Sequence, residues 1–165
     1  MKIFHDDFTI QSEARPTFHD VTDRVAASIG RAGLASGVAM VYSQHTTCSV
    51  LIQEQSDDVN YYGEQFILQD LVNVLAKIAP TCETEGQYLH PGPLHVEIAG
   101  RERGEPACWS LNTDAHLRSV LLGRSVFVPI VDGKLVLGEF GRIYFADFDQ
   151  ARARQRTVWL SAWGA

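Results

Sequence analysis

Three histidines stand where the chain changes from one element to another. His45 heads His45-Thr46-Thr47, which closes one apolar strand and opens the next; His90 ends Tyr88-Leu89-His90 in a long polar stretch; His116 ends Asn112-Thr113-Asp114-Ala115-His116 at a helix start. An imidazole can exchange a proton near neutral pH, and one of its nitrogens can bind a metal while the other donates to a neighbouring acceptor. His45, His90 and His116 together have the number and type of ligands for a catalytic site with an open fourth position, with Zn²⁺ or Mg²⁺ as the divalent ion. Taken singly, each also matches a loop histidine making one backbone hydrogen bond.

Around them lie groups suited to an anion. The hydroxyls of Thr46 and Thr47 and the side chains of Asn112 and Thr113 can donate, and a helix N-terminus at Asn112 favours negative charge. Asn112 or Thr113 equally suits a simple cap. Asp114 fits the first helical turn on dipole grounds alone. Arg142 is the cation placed nearest by sequence neighbourhood, although many lone arginines only form surface ion pairs. Glu54 could act as a base beside His45 and His116. It lies at the far end of its strand, so it reaches the histidines only if the sheet curves or a subunit interface intervenes. Cys48 reads as a small buried hydrophobe in a strand interior, with a reactive thiol as the alternative.

Composition narrows the classes. A chain of 165 residues, 45% hydrophobic and 21% charged, fits one globular domain over residues 1–165 with a core needing no staples. The formal charge of −6 argues against a nucleic-acid partner, since phosphate backbones need a basic face. Arg152, Arg154 and Arg156 alternate, which reads as the solvent face of a strand rather than a polyanion site. Three cysteines without CxxC spacing suit a reducing cytoplasm. Asp6 and Asp7 interrupt any N-terminal apolar stretch, and no run is long enough for a membrane span, so a cytoplasmic location and no membrane partner are expected.

The elements that must position these groups follow from periodicity. Met1 to Ile10 alternates as a strand. Asp20 looks like an N-cap for a helix with Val21, Val25, Ala26 and Ile29 on one face, ended by Gly33. Gly37–Tyr42 and Thr47–Gln53 read as strands. Ser56, Asp57 and Asp58 read as a helix start, leading a stripe from Val59 and Tyr62 through Phe66, Ile67, Leu71, Val74, Leu75 and Ile78 to Pro80. Thr81 to Leu111 reads as a long functional loop with a short strand at Leu94–Ile98. A helix then runs from Asn112 to Gly123. The rest predicts strands: Ser125–Val131, an Asp132-Gly133 turn, Lys134–Leu137, Ile143–Phe148 and Thr157–Trp163. The pattern predicts an α+β fold with mainly antiparallel sheet.

In this order the pieces resemble the YjbQ-like family over nearly the whole chain. The resemblance rests on His45-Thr46-Thr47 with Glu54, Asp57-Asp58, Tyr88-Leu89-His90, Glu105-Pro106, Asn112 with Ala115-His116, and Leu121-Leu122-Gly123. It continues through Val128 to Leu135, Leu137-Gly138, Ile143-Tyr144-Phe145 and Phe148-Asp149. It implies a homotrimer whose histidine-lined pocket binds a phosphate-like anion or a metal, and a link to thiamine phosphate synthesis. Phe140, Trp159 and Trp163 are then candidate subunit contacts. Where the family usually has a Trp-Gln pair, this chain has Phe140-Gly141 and then Arg142, and its Leu94–Leu111 segment is longer than in the shortest members.

Three function classes follow for a phosphorylated small molecule. One is a thiamine-phosphate synthase-type transferase, with His45 and His116 stabilising a departing pyrophosphate. Another is a metal-dependent hydrolase. The third is a non-catalytic trimeric binder. The absence of a P-loop, a dinucleotide fingerprint, a Gly-x-Ser-x-Gly elbow and a His-Glu-x-x-His helix removes the commoner alternatives.

Overall fold

The computed structural model describes residues 1–165. Its strands are β1 (Lys2–Gln11), β2 (Thr17–Asp20), β3 (Ser36–Ser43), β4 (Cys48–Glu54), β5 (Ser125–Val131), β6 (Lys134–Leu135), β7 (Gly141–Asp147) and β8 (Gln155–Gly164). Its helices are α1 (Thr22–Ala32), α2 (Phe66–Ile78), α3 (Pro93–Arg103) and α4 (Thr113–Leu122), with a 3₁₀ turn at Ala107–Ser110. All named pairings are antiparallel: one sheet runs β1-β8-β3-β5-β6, the other β2-β7-β4. The fold is thus the α+β arrangement that the alternation predicts. No helix is long and apolar enough to cross a membrane.

The two sheets face one another over the main core. Val41, Val128, Ile130, Val158 and Leu160 come from the larger sheet, Val50, Ile143 and Phe145 from the smaller, and Val25 and Ile29 from α1. The other face of the smaller sheet carries a second core, where Ala146 and Phe148 meet Leu75 of α2 and Ala115 of α4. Strand β7 is therefore buried on both faces, which explains its unbroken apolar run. Arg118 ties the two helices together. Its guanidinium donates to the Ala79 carbonyl at the end of α2 (2.9 and 3.2 Å) and pairs with Asp114 at 3.2 Å, fully buried.

Local rules decide the ends. Asp132 and Gly133 both take positive φ (50° and 73°), as a two-residue hairpin between Val131 and Lys134 requires. Gly37 pairs with Gly164 across β3 and β8, where a Cβ on Gly37 would lie 2.1 Å from the Trp163 carbonyl. Helix α1 starts at Thr22, with Val21 rather than Asp20 at the cap position. The Asp20 carboxylate still accepts the Thr22 N–H at 2.9 Å.

Two expectations fail. Ser56, Asp57 and Asp58 do not start a helix. The Asn60 side chain accepts the N–H groups of Tyr62 and Glu64, Gly63 turns at φ 80°, and α2 starts only at Phe66. Val59 and Tyr62 are accordingly exposed, and Leu68 is the residue that packs deepest from α2. Leu94–Ile98 is not a strand but part of α3, with Pro93 in the first turn and Gly104 closing it in the left-handed conformation. The short strand β2 has no counterpart in the sequence prediction.

Candidate functional site

The loop between β3 and β4 is a tight turn. Ser43 Oγ accepts the His45 N–H at 3.2 Å, and the His45 carbonyl accepts the Cys48 N–H at 3.1 Å. Ser119 Oγ donates to the Cys48 carbonyl at 2.6 Å, which fastens α4 against β4. The first turn of α4 consequently stands beside the Thr46-Thr47 corner. The start of β8 completes the junction, with Arg156 in the strand and Arg154 just before it.

A cavity of about 300 Å³ opens at this junction, lined by His45, Thr46, Thr47, Asn112, His116, Arg154, Arg156 and Gln44, with no apolar residue among them. Arg156 is only 4% exposed. It donates to Asp147 from Nε (2.7 Å) and Nη2 (3.2 Å) and to Thr47 Oγ1 from Nη2 (3.0 Å). Thr47 Oγ1 in turn donates to Asp147 Oδ1 at 3.3 Å. Arg154 Nη2 lies 3.3 Å from the buried Asp149 carboxylate. These contacts leave Nη1 of both guanidiniums without a protein partner. The arginines are thus held from behind and keep donors for a ligand.

The expectation that Arg152, Arg154 and Arg156 form a solvent face is therefore wrong. Arg156 lies on the inward face of β8 because buried Asp147 and Asp149 compensate it. Arg152 turns away, over the Trp109 ring (3.9 Å) and onto Glu105 (2.5 Å).

The two pocket imidazoles are fixed by backbone groups. His45 Nε2 accepts the Thr157 N–H at 2.9 Å, and His116 Nδ1 donates to the Thr46 carbonyl at 3.2 Å. Both are held below the ordinary imidazole range: His45 by burial and then by Arg156, His116 by burial against the opposing pull of Thr46. Both are therefore neutral at pH 7. His90 stands beside His116, at 5.9 Å between ring centroids, and 4.6 Å from His95, edge-to-face in each case, but it does not line the cavity.

This geometry does not suit the three-histidine metal set. The His45 Nε2 lone pair is occupied by a backbone N–H, so its proton sits on Nδ1 and neither nitrogen can bind an ion. No group of three or more His, Cys, Asp or Glu side chains is placed to hold one.

The other expected site residues divide. Thr46, Thr47 and Asn112 line the cavity. Thr113 does not; its hydroxyl donates to the His90 carbonyl and fixes that loop. Neither Asn112 nor Thr113 caps α4 through its side chain. The buried Asp114 carboxylate, in the first turn, accepts from the Cys82 N–H (3.2 Å) and the Gln150 amide (3.2 Å). Arg154 and Arg156 are the charged donors that line the cavity. Glu54 and Arg142 are elsewhere. They pair with Gly141 and Gln53, at the end of β4 opposite Cys48, about 20 Å along an extended strand. Glu54 borders an acidic groove with Asp57, Asp58 and Glu139, and Arg142 donates to Gln55 at 2.8 Å. Cys48 is fully buried and its thiol is pushed far up by that burial, so it is no nucleophile.

Sequence reasoning missed Gln44, His95, Arg154, Arg156 and the aspartates behind them. The available signal was Asp147-x-Asp149 preceding the arginine alternation, since two carboxylates in an apolar strand must find cations.

Comparison with known proteins fits this architecture. The model of the UPF0047 protein YjbQ-like family matches residues 6–165. A UPF0047 protein of Archaeoglobus fulgidus is 31% identical over 152 residues, covering 92% of this chain and 97% of its own. The Bacillus subtilis UPF0047 protein YugU is 30% identical, over 88% of this chain and 89% of its own. Among solved structures, a YbjQ-like protein of unknown function from Sulfolobus solfataricus P2 superposes with a TM-score of 0.76 at 20% identity, covering 99% of both chains. A hypothetical protein from Aeropyrum pernix K1 gives 0.72 at 26% identity, over 98% of this chain and 99% of its own. The chain belongs to the YjbQ-like, UPF0047 family.

Proposed function

We propose that the pocket binds a phosphorylated small molecule and that the protein is a transferase of the thiamine-phosphate synthase type. The observation that carries the reading is the convergence of Arg154, Arg156 and Thr47 with two neutral imidazoles in a cavity without apolar lining. Guanidiniums match phosphate oxygens bidentately, and fixed donors stabilise charge that develops on a leaving pyrophosphate. His116 is the group able to take a proton, because its Nε2 is free while Asp147 and Asp149 are committed to arginines. The reaction needs no covalent intermediate with the protein. The metal-dependent hydrolase has no support in this ligand geometry. The working unit is a homotrimer, in line with the family resemblance.

Incubation with a pyrimidine pyrophosphate and a thiazole phosphate, with Mg²⁺ as counter-ion of the pyrophosphate, tests the reading. Pyrophosphate release is expected, lowered about a hundredfold or more by His116→Ala, as for loss of a positioned stabiliser. Tight binding of one precursor without turnover would reduce the protein to a binding module. No binding of either would refute the assignment.

A further inference from the structure

The two pocket imidazoles are the same tautomer used in opposite senses. A backbone N–H can only donate, so His45 Nε2 must hold a lone pair for Thr157 and the ring proton must sit on Nδ1. A backbone carbonyl can only accept, so His116 must also carry its proton on Nδ1, to reach Thr46. Each ring is left with one nitrogen that has no protein partner, and neither of these is sealed in the interior. For His45 that nitrogen is an N–H donor; for His116 it is an acceptor. Both residues line the same cavity as Arg154 and Arg156.

We propose that the pocket reads the proton on its anion: His45 Nδ1–H and the arginines donate to unprotonated oxygens, and His116 Nε2 accepts from an O–H on the same group. The ligand class is then a phosphoryl group that carries one proton, and a fully deprotonated tetrahedral anion binds more weakly. A lone pair facing a bare anionic oxygen is both unpaired and repulsive once the bound anion has displaced its water, and leaving a desolvated polar atom unpaired is what makes such sites selective. The lowered basicity of both rings keeps the two roles distinct at neutral pH, because an imidazolium would donate from every nitrogen. This inference rests on the anion-binding reading above and adds the protonation state that it selects.

Hydrogenphosphate and sulfate at pH 8 separate the two ideas. Both are tetrahedral dianions, and only hydrogenphosphate carries a hydroxyl. Calorimetric titration of the full chain is expected to give hydrogenphosphate at least about tenfold tighter binding than sulfate, the size expected for one unpaired buried group. His116→Asn keeps a donor for the Thr46 carbonyl and loses the acceptor, so it should lose the preference. His116→Gln places an oxygen near the Nε2 position and should retain part of it. His45→Asn, which keeps a donor near Nδ1, should bind hydrogenphosphate more tightly than His45→Gln, which keeps only the acceptor for Thr157. Nitrogen-15 spectra of the wild type should show the proton on Nδ1 of both rings. Equal affinity for the two anions would overturn the proton reading while leaving the anion site standing. Binding of neither would remove both, and a proton on Nε2 of either ring would overturn the proposal whatever the affinities.

Discussion

Arg156 grips Asp147 at two points, Nε to Oδ2 at 2.7 Å and Nη2 to Oδ1 at 3.2 Å, with both side chains buried. The pair joins β8 to β7 and so joins the two sheets directly beneath the pocket. Removing one partner strands the other charge in the interior. Arg156→Ala should therefore lower the unfolding free energy by about 3–5 kcal/mol in urea titration. A loss within 0.5 kcal/mol, the range of a neutral surface change, would show that the pair does not clamp the sheets.

The same pair shows where the sequence stops being legible. Apolar patterning gave β1, β3, β4, β5, β7 and β8: one buried face imposes period two on β1 and β8, and burial on both faces makes Ile143–Ala146 of β7 apolar throughout. The glycine at 33 and the Asp132-Gly133 turn were readable from backbone chemistry alone. Val59 and Tyr62 misled because a helical spacing of apolar residues persists through a turn that Asn60 and Gly63 impose. Leu94, Val96 and Ile98 misled because alternation over five residues also fits a helix whose apolar groups are only partly covered. In the site, His45, His116, Thr46, Thr47 and Asn112 were readable from their place at element ends. Arg154 and Arg156 were not, because alternate charges on a strand look solvated unless the carboxylates opposite them are known. Register decides that, and register is a long-range property.

Glu54 and Arg142 lie at the far end of β4 and β7 from the pocket. Glu54→Ala and Arg142→Ala should leave hydrogenphosphate affinity unchanged within about twofold and stability within about 0.5 kcal/mol, the usual range for surface positions. A tenfold loss of affinity in either variant would place these residues, through a neighbouring subunit, in the site after all.

The outer face of the larger sheet is unusually apolar. Ile3, Phe127, Val131 and Trp159 are 63%, 53–59% and 38% exposed, and Trp163 meets Phe127 edge-to-face. Such patches mark association surfaces. Sedimentation equilibrium should give a trimer at micromolar concentration, and Phe127→Glu should shift it toward monomer. Trp159 Nε1 donates to Gln44 at the pocket rim (3.2 Å), so Trp159→Ala should also weaken anion binding. A wild-type monomer at micromolar concentration would refute the assembly.

Acid should destabilise the protein in two separate steps. His19, His45, His90 and His116 are all held below the ordinary imidazole range, first of all by burial. The unfolded chain therefore binds protons at these residues before the folded chain does, and stability falls as pH drops below the unfolded value of about 6.5. Asp147 has the opposite sense. Burial would raise its carboxyl, but Arg156 and the Asp149 N–H outweigh burial and hold it below the carboxylate range. Its contribution is intact above the unfolded value of about 3.9 and is lost as pH falls through the lower folded value. Thermal melts from pH 8 to pH 3 should show a first decline between pH 7 and 5, and a second below pH 4. His116→Asn should soften the first decline and leave the second. Melting temperatures that hold constant from pH 7 to 5 would show that the histidines are solvated rather than buried, and the neutral pocket imidazoles would fall with them.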